Sequence, residues 1–83
     1  DGAVRSVIEV KLGVRFRRKA GSLESPDFAQ VLRYANTLDV PSMLIDANRV
    51  FLFRRGEQLP FRVLERADFT DTDLGTVAAH LAG

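Results

Sequence analysis

The sequence has no cysteine and a single histidine. The lack of cysteine excludes disulfides, thiolate metal sites and cysteine nucleophiles, and it fits a reducing, cytoplasmic compartment. No apolar run comes near the ~20 residues that a membrane-spanning helix needs. An excess of one charge sign is also lacking, because 12 lysines and arginines against 11 acids leave a formal net charge of +1. These absences exclude a membrane protein and a uniformly basic nucleic-acid binder.

What is present fits one small globular domain. The 83 residues are 46% hydrophobic and 28% charged, which is ordinary for a soluble chain. The positive charge is uneven, however. Four of the cations lie in one short stretch without an acid, at Arg15, Arg17, Arg18 and Lys19.

The first half predicts a strand, a loop and a helix. A β-branched run over about residues 4–12 predicts a strand that follows a hairpin-type Asp1-Gly2 dipeptide. Residues 13–25 are polar, basic and glycine-containing, which predicts a mobile loop. The tripeptide Ser25-Pro26-Asp27 offers an N-cap, a proline at the first helical position and an early acid. It predicts a helix over residues 26–38.

The second half predicts two central strands, an edge strand and a final helix. Residues 43–45 and 50–53 are apolar at every position, which is typical of strands covered on both faces. Residues 59–64 contain a proline and predict at best an edge strand. Thr70 and Asp73 have the spacing of a capping box at the start of a helix. The alternation indicates an α/β fold, with a mixed central sheet flanked by helices.

Glu9 and Lys11 interrupt the first apolar run two positions apart. Because strand side chains alternate between faces, the acid and the base share one face of the sheet with Val7. On an exposed face they are ordinary solvated charges. On a covered face an ionisable pair is unfavourable unless it is used, so the pair is a candidate functional site.

Two motifs in this region resemble a nuclease superfamily. Glu9 to Lys11 in "VIEVKLG" forms E-x-K, and Gln30 to Tyr34 in "QVLRYANTLDVPSMLID" forms Q-x-x-x-Y. Together with "NRVFLFRRG", they resemble the PD-(D/E)xK superfamily, in particular the N-terminal nuclease domain of type I restriction enzyme motor subunits. The similarity covers roughly residues 4–56. It implies a restriction-endonuclease-like fold.

The resemblance implies a Mg²⁺ or Mn²⁺ site and a catalytic group. The Glu9 carboxylate and the Val10 backbone carbonyl are the expected metal ligands, since Mg²⁺ takes one or two carboxylates and fills its other positions with water and phosphate. Lys11 is expected to stabilise charge at the attacking water or the phosphate. Gln30 is placed beside the metal site and Tyr34 close to the nucleic acid. The alternative is a surface glutamine and a partly packed tyrosine.

The basic stretch has two interpretations. Arg15, Arg17, Arg18 and Lys19 are expected to contact DNA phosphates beside the active face, which gives salt-dependent affinity rather than sequence recognition. Alternatively they form a solvated loop.

One element of the family pattern is missing. The superfamily has a second metal-binding carboxylate, an Asp, on the preceding strand. Asp1 is better explained as a turn residue, because the position opposite Glu9 on a hairpin partner falls before residue 1. We therefore expect residues 1–83 to be a single nuclease-like domain that lacks an upstream strand or helix, or a degenerate domain without catalysis.

Other polar residues have simpler explanations. His80, remote from any carboxylate pattern, is expected to be solvated or to cap its helix. Asp68, Asp71 and Asp73 lie where a helix start favours acids, and Asp46 is explained by turn formation beside Asn48.

The sequence thus predicts a cytoplasmic, metal-dependent DNA endonuclease domain of a restriction-type enzyme. DNA and other restriction subunits or a motor domain are its expected partners. The alternative is a non-catalytic module of the same fold that binds DNA or a partner subunit.

Overall fold

The computed structural model describes residues 5–11, 13, 17–19 and 22–82. It shows a four-stranded mixed sheet with a helix on each face. The strands are β1 (Val7–Val10), β2 (Arg17–Lys19), β3 (Ser22–Glu24), β4 (Ser42–Ile45), β5 (Arg49–Phe53) and β6 (Arg62–Glu65). The helices are α1 (Pro26–Leu38), a short 3-10 turn (Arg66–Asp68) and α2 (Asp71–Leu81). The predicted α/β class is confirmed.

The sheet has the order β1-β4-β5-β6. Strands β1 and β4 are parallel, whereas β4, β5 and β6 pair antiparallel in sequence. A parallel pair needs a crossover connection, and α1 supplies it between β1 and β4. Strands β2 and β3 form a separate antiparallel hairpin within that crossover. The predicted central strands are confirmed in β4 and β5, and β6 is the predicted edge strand.

One face of the sheet packs on α1. Phe28, Val31 and Leu32 of the helix form a buried cluster with Leu44, Phe51 and Phe53 of the two central strands. The Phe28 ring meets Phe51 and Phe53 edge-on, with centroids 5.1 and 5.2 Å away. Such aromatic pairs contribute about 0.5–1.5 kcal/mol beyond their buried area. Phe28 therefore joins the helix to β5 through two aromatic contacts.

The opposite face packs on α2. A second buried cluster contains Met43, Val50, Leu52 and Leu64, and Val77 and Leu81 of the helix pack against it. Neither of the described helices has the length and apolar character to cross a bilayer.

His80 differs from its prediction as a solvated or capping side chain. It is half-buried, and its Nε2 lies 2.9 Å from the carbonyl oxygen of Ser42. Its ring also lies against Phe61, at 5.2 Å between centroids. The prediction was wrong because α2 folds back over the sheet and brings its last turn to the start of β4. The His80 side chain therefore forms a polar contact between α2 and the sheet.

Local capping chemistry fixes the helix starts. The Ser25 hydroxyl accepts hydrogen bonds from the backbone N–H groups of Asp27 and Phe28 at 3.2 and 3.3 Å, and α1 has the predicted bounds. Thr70 and Asp73 form the predicted capping box, with reciprocal bonds of 3.1 and 3.0 Å. The Asp68, Asp71 and Asp73 group accordingly lies at the start of α2.

The stretch before α1 corrects two expectations. The predicted mobile loop over 13–25 is wrong where the structure describes it, because residues 17–19 and 22–24 pair as β2 and β3. Strand β1 is also shorter than predicted, with four residues. Asp1-Gly2 and Arg15 lie outside the described residues.

Candidate active site

The site lies at the carboxyl end of β1, on the face that α1 covers. Along this strand Val7 and Glu9 are half-buried, whereas Ile8 and Val10 are 50% and 70% exposed. Val7 packs against the α1 cluster. Because the pattern alternates, Glu9 and Lys11 lie on the α1 face of the sheet.

Three polar side chains meet there. The Lys11 Nζ donates a hydrogen bond of 2.7 Å to the Gln30 Oε1 and lies 3.7 Å from the Glu9 Oε1. The Lys11 and Glu9 side chains are 26% and 29% exposed, so both are partly buried and still accessible to water. Gln30 comes from 19 positions further along the chain. The E-x-K and Q-x-x-x-Y motifs are thus in contact.

Backbone structure brings these groups together. The Lys11 N–H donates a hydrogen bond of 2.9 Å to the carbonyl of Ile45. This bond extends the pairing of β1 with β4 one residue past the end of β1. Helix α1 starts at this same end of the sheet, where Ser25 caps it. Gln30 therefore lies in the second turn of α1, above the carboxyl end of β1.

The backbone of β1 has one unpaired edge among the described elements. Val7 and Lys11 donate their N–H groups toward β4, to the carbonyls of Pro41 and Ile45. Since backbone groups of successive strand residues alternate between the two edges, the Val10 carbonyl points to the edge away from β4. No described strand pairs with that edge.

Glu9 and Val10 offer oxygen atoms at this end of β1. A carboxylate from Glu9 and the outward carbonyl of Val10 are ligands that Mg²⁺ and Mn²⁺ accept, with water or phosphate in the other positions. Within residues 5–11, 13, 17–19 and 22–82, no group of three or more His, Cys, Asp or Glu side chains is placed to hold a metal ion. The described donor set is therefore one carboxylate with a backbone carbonyl.

Tyr34 lies one helical turn after Gln30, on the same flank of α1. It is 52% exposed. The structure thus brings Glu9, Lys11 and Gln30 into contact and leaves Tyr34 half-exposed one helical turn further along α1. A half-exposed tyrosine is also what the simpler interpretation expects.

The predicted DNA-binding cations lie between the two motifs in the chain. Arg17, Arg18 and Lys19 are the three residues of β2. The backbone pairs them with Glu24, Leu23 and Ser22 of β3, in that order.

The turn between β4 and β5 lies at the same end of the sheet as the candidate site, which the two motifs do not predict. Asp46 is buried, and its Oδ1 accepts the N–H groups of Asn48 and Arg49 at 2.8 and 2.6 Å. This confirms the turn interpretation. The Arg66 side chain donates a hydrogen bond of 3.0 Å to the backbone carbonyl of Asp46. Asp46 directly follows Ile45, whose carbonyl accepts the N–H of Lys11. The Asp-x-Asn spacing predicts the turn, but no sequence signal predicts the Arg66 contact.

No protein-family model, curated protein or solved structure significantly matches this chain. Its function must therefore be inferred from the geometry of the site and from the motif resemblance.

Proposed function

We propose that this chain is a metal-dependent DNA endonuclease domain of PD-(D/E)xK type with a restriction-endonuclease-like fold. By resemblance, it belongs with the nuclease domains of type I restriction enzyme motor subunits and acts in the cytoplasm with a motor domain or other restriction subunits. One observation carries the proposal: the Lys11 ammonium contacts both Glu9 and Gln30, which come from the two separate motifs.

Hydrolysis of a phosphodiester places growing negative charge on the phosphate and requires a polarised water. A divalent ion, when bound by Glu9 and the Val10 carbonyl, supplies Lewis acidity to both. The Lys11 ammonium has three N–H donors, and Gln30 accepts from one of them. The other donors remain for the Glu9 carboxylate, the attacking water or a phosphate oxygen.

Gln30 acts as a positioning residue. A lone lysine samples many rotamers, and fixing one of them removes side-chain entropy before the substrate binds. The 2.7 Å bond to Gln30 holds the ammonium on the α1 side of Glu9. Pre-placed donors of this kind stabilise the transition state without reorganisation. Tyr34, exposed on the same flank, is the residue that we propose to contact the DNA.

The test is cleavage of plasmid DNA in Mg²⁺ or Mn²⁺ by the full-length protein and two variants. Lys11→Ala is expected to lower the rate by about 10²-fold or more, which is typical for loss of one such catalytic group. Arg33→Ala removes the same charge from an exposed position of α1 and should cut like the wild type. Equal cleavage by the Lys11 variant would remove this residue from the mechanism.

A second candidate function follows from β2, whose residues are all cationic. In that case the domain binds DNA or a partner subunit without cutting. Binding that weakens steeply with salt, with no cleavage by the wild type in either metal, would favour this candidate.

A further inference from the structure

A concave pocket of about 310 Å³ lies at the end of the sheet opposite the candidate active site. The basic pocket, as we call it, is lined by the described residues Pro41, Arg54, Arg55, Ala79 and His80. Three of these five are basic, and none of them is an acid. Lys11 bonds to the last residue of β4, whereas Pro41 directly precedes the first. The two places are therefore about 10 Å or more apart along the strand, at about 3.3 Å per residue.

A tight turn after β5 places the two arginines at the rim of the basic pocket. The Glu57 N–H donates a hydrogen bond of 3.1 Å to the Arg54 carbonyl, which closes a four-residue turn. Gly56 occupies the third position with a φ of 78°. A type II turn requires this left-handed conformation there, and it favours glycine. The backbone thus fixes where Arg54 and Arg55 leave the sheet.

An aromatic ring orders the Arg54 guanidinium. The Arg54 Cζ lies 4.2 Å from the centroid of the Phe61 ring, over its face. The Phe61 N–H donates a hydrogen bond of 2.9 Å to the Leu52 carbonyl, which holds the ring beside β5. A cation–π contact uses the face of the ring and none of the guanidinium N–H donors. Arg54 is therefore pre-placed and still able to donate to an anion.

The half-buried His80 ring forms another wall of the basic pocket. It lies 5.2 Å from the Phe61 ring between centroids, and its Nε2 lies 2.9 Å from the Ser42 carbonyl oxygen. Because a carbonyl oxygen only accepts, Nε2 carries the proton in this contact. Two contacts thus fix the imidazole, and this wall is rigid.

One carboxylate lies close to Arg55. The Asp39 Oδ1 is 3.9 Å from the Arg55 Nε, and the Asp39 and Arg55 side chains are 77% and 59% exposed. Water and salt screen an ion pair with this exposure, so it contributes little. An anion in the basic pocket can therefore compete with Asp39 for the guanidinium.

We propose that the basic pocket binds the phosphate group of a small molecule, with Arg54 and Arg55 as the ligands of the phosphate oxygens. Guanidinium groups present planar forks of N–H donors that match phosphate. Two of them balance the nearly two negative charges that a phosphate monoester carries at neutral pH. The pocket volume far exceeds the about 30 Å³ of one water molecule, so an organic group fits beside the phosphate. This inference is independent of the proposed nuclease function.

The test is an NMR titration of the isotope-labelled, full-length protein with phenyl phosphate, inorganic phosphate and benzoate at about pH 7.5, where a phosphate monoester is close to a dianion. Both phosphates should shift the Nε–H resonances of Arg54 and Arg55 and the backbone amides of Ala79 and His80, with saturation. Benzoate, a monoanion, should bind about tenfold more weakly. Tighter binding of phenyl phosphate than of inorganic phosphate would identify an ester as the ligand, and equal binding would identify the free anion.

The double variant Arg54→Ala, Arg55→Ala should bind phenyl phosphate about tenfold or more weakly, since it loses both charged donors. The matched control Arg33→Ala, Arg62→Ala removes two cations from exposed positions outside the basic pocket and should bind like the wild type. Arg55→Ala alone keeps the contact between Arg54 and Phe61, and it should still weaken binding several-fold.

Three outcomes would overturn the proposal. They are equal weakening in the two double variants, wild-type affinity in Arg55→Ala, and phosphate shifts that spread over exposed cations throughout the described chain without saturation. The last outcome would mean that the two arginines are ordinary solvated charges.

Discussion

The ammonium of Lys11 contacts two oxygen atoms, one from Glu9 of β1 and one from Gln30 of α1. An exposed Glu–Lys pair by itself contributes only about 0–1 kcal/mol, because water screens it and both side chains lose freedom. Here the Gln30 amide adds a 2.7 Å bond, and the covering helix leaves the Lys11 side chain 26% exposed. The contact therefore orients the ammonium more than it stabilises the fold.

Replacing Gln30 with Ala should lower the cleavage rate constant about tenfold and leave KM nearly unchanged. A hydrogen bond to a charged group contributes about 1.5–3 kcal/mol, and solvent exposure reduces that figure here. Removing it frees the ammonium without removing its charge.

The measurement is kcat and KM on plasmid DNA in parallel with Asn36→Ala, which removes an amide from an exposed position of the same helix. An equal fall in kcat for both variants would mean that any amide on α1 matters, and that Gln30 has no positioning role.

For single residues, the sequence predicts which face of a strand a side chain lies on better than it predicts contacts between residues far apart in the chain. Strand alternation places Glu9 and Lys11 together, because it depends only on neighbouring residues. The bond from His80 to the Ser42 carbonyl spans 38 positions, and no local pattern encodes which helix turn meets which strand. The pairing of Gln30 with Lys11 was expected only through the family resemblance.

Among the elements, the connection from β4 to β5 depends on one buried carboxylate. Asp46 accepts two backbone N–H groups through one oxygen, and these bonds close the turn that sets the register of the central strands. Ile45, the residue before it, accepts the N–H of Lys11. The turn therefore also supports the end of β1 where the site lies.

Asp46→Ala should lower the free energy of unfolding by about 1–3 kcal/mol, since two donors in the turn lose their acceptor. Asp46→Asn keeps an oxygen at the same place and should lower it by less. Urea denaturation of the wild type and the two variants measures the difference. Equal destabilisation by Ala and Asn would show that the negative charge, and not the acceptor geometry, holds the turn.

Elements with their own start signals were predicted with the correct start, and α1 with both of its bounds. Ser25 and Pro26 fix the start of α1, and the Thr70 capping box fixes the start of α2. The β2–β3 hairpin has no such signal, because its strands are three residues long and lack alternating apolar positions. A basic, polar stretch of this kind has the composition of a loop.

For the whole molecule, Phe28 is one of the three buried residues through which α1 packs on the sheet. It is 3% exposed and meets two aromatic rings from β5. Helix α1 also packs on β1 and β4, the two parallel strands that it connects. Loss of this ring opens a cavity between the two layers.

Phe28→Ala should lower the free energy of unfolding by about 3–5 kcal/mol, the usual effect of removing a buried aromatic ring. A domain of this size has only about 5–10 kcal/mol in total, so its thermal midpoint should fall sharply. Leu38→Ala is the matched control, because Leu38 is 48% exposed on the same helix. Thermal and urea melts of both variants give the comparison, and a similar loss in both would show that Phe28 is not central to the packing.

The overall architecture was predictable as a class and not in detail. The order of the elements predicts the α/β class, because strands that alternate with helices can pack in only a few layered architectures. It does not give the strand order β1-β4-β5-β6, which depends on which apolar faces meet in three dimensions. The specific family fold stays a proposal for the same reason.

The segment that connects β1 to α1 contains the β2–β3 hairpin. Sheet and helix hold Lys11 and Gln30 from outside the connecting segment, so the segment does not itself fix their distance. Lengthening a surface connection adds little unfavourable entropy, since each doubling contributes only about 0.6 kcal/mol. Residues inserted into this segment should therefore leave the Lys11–Gln30 contact in place.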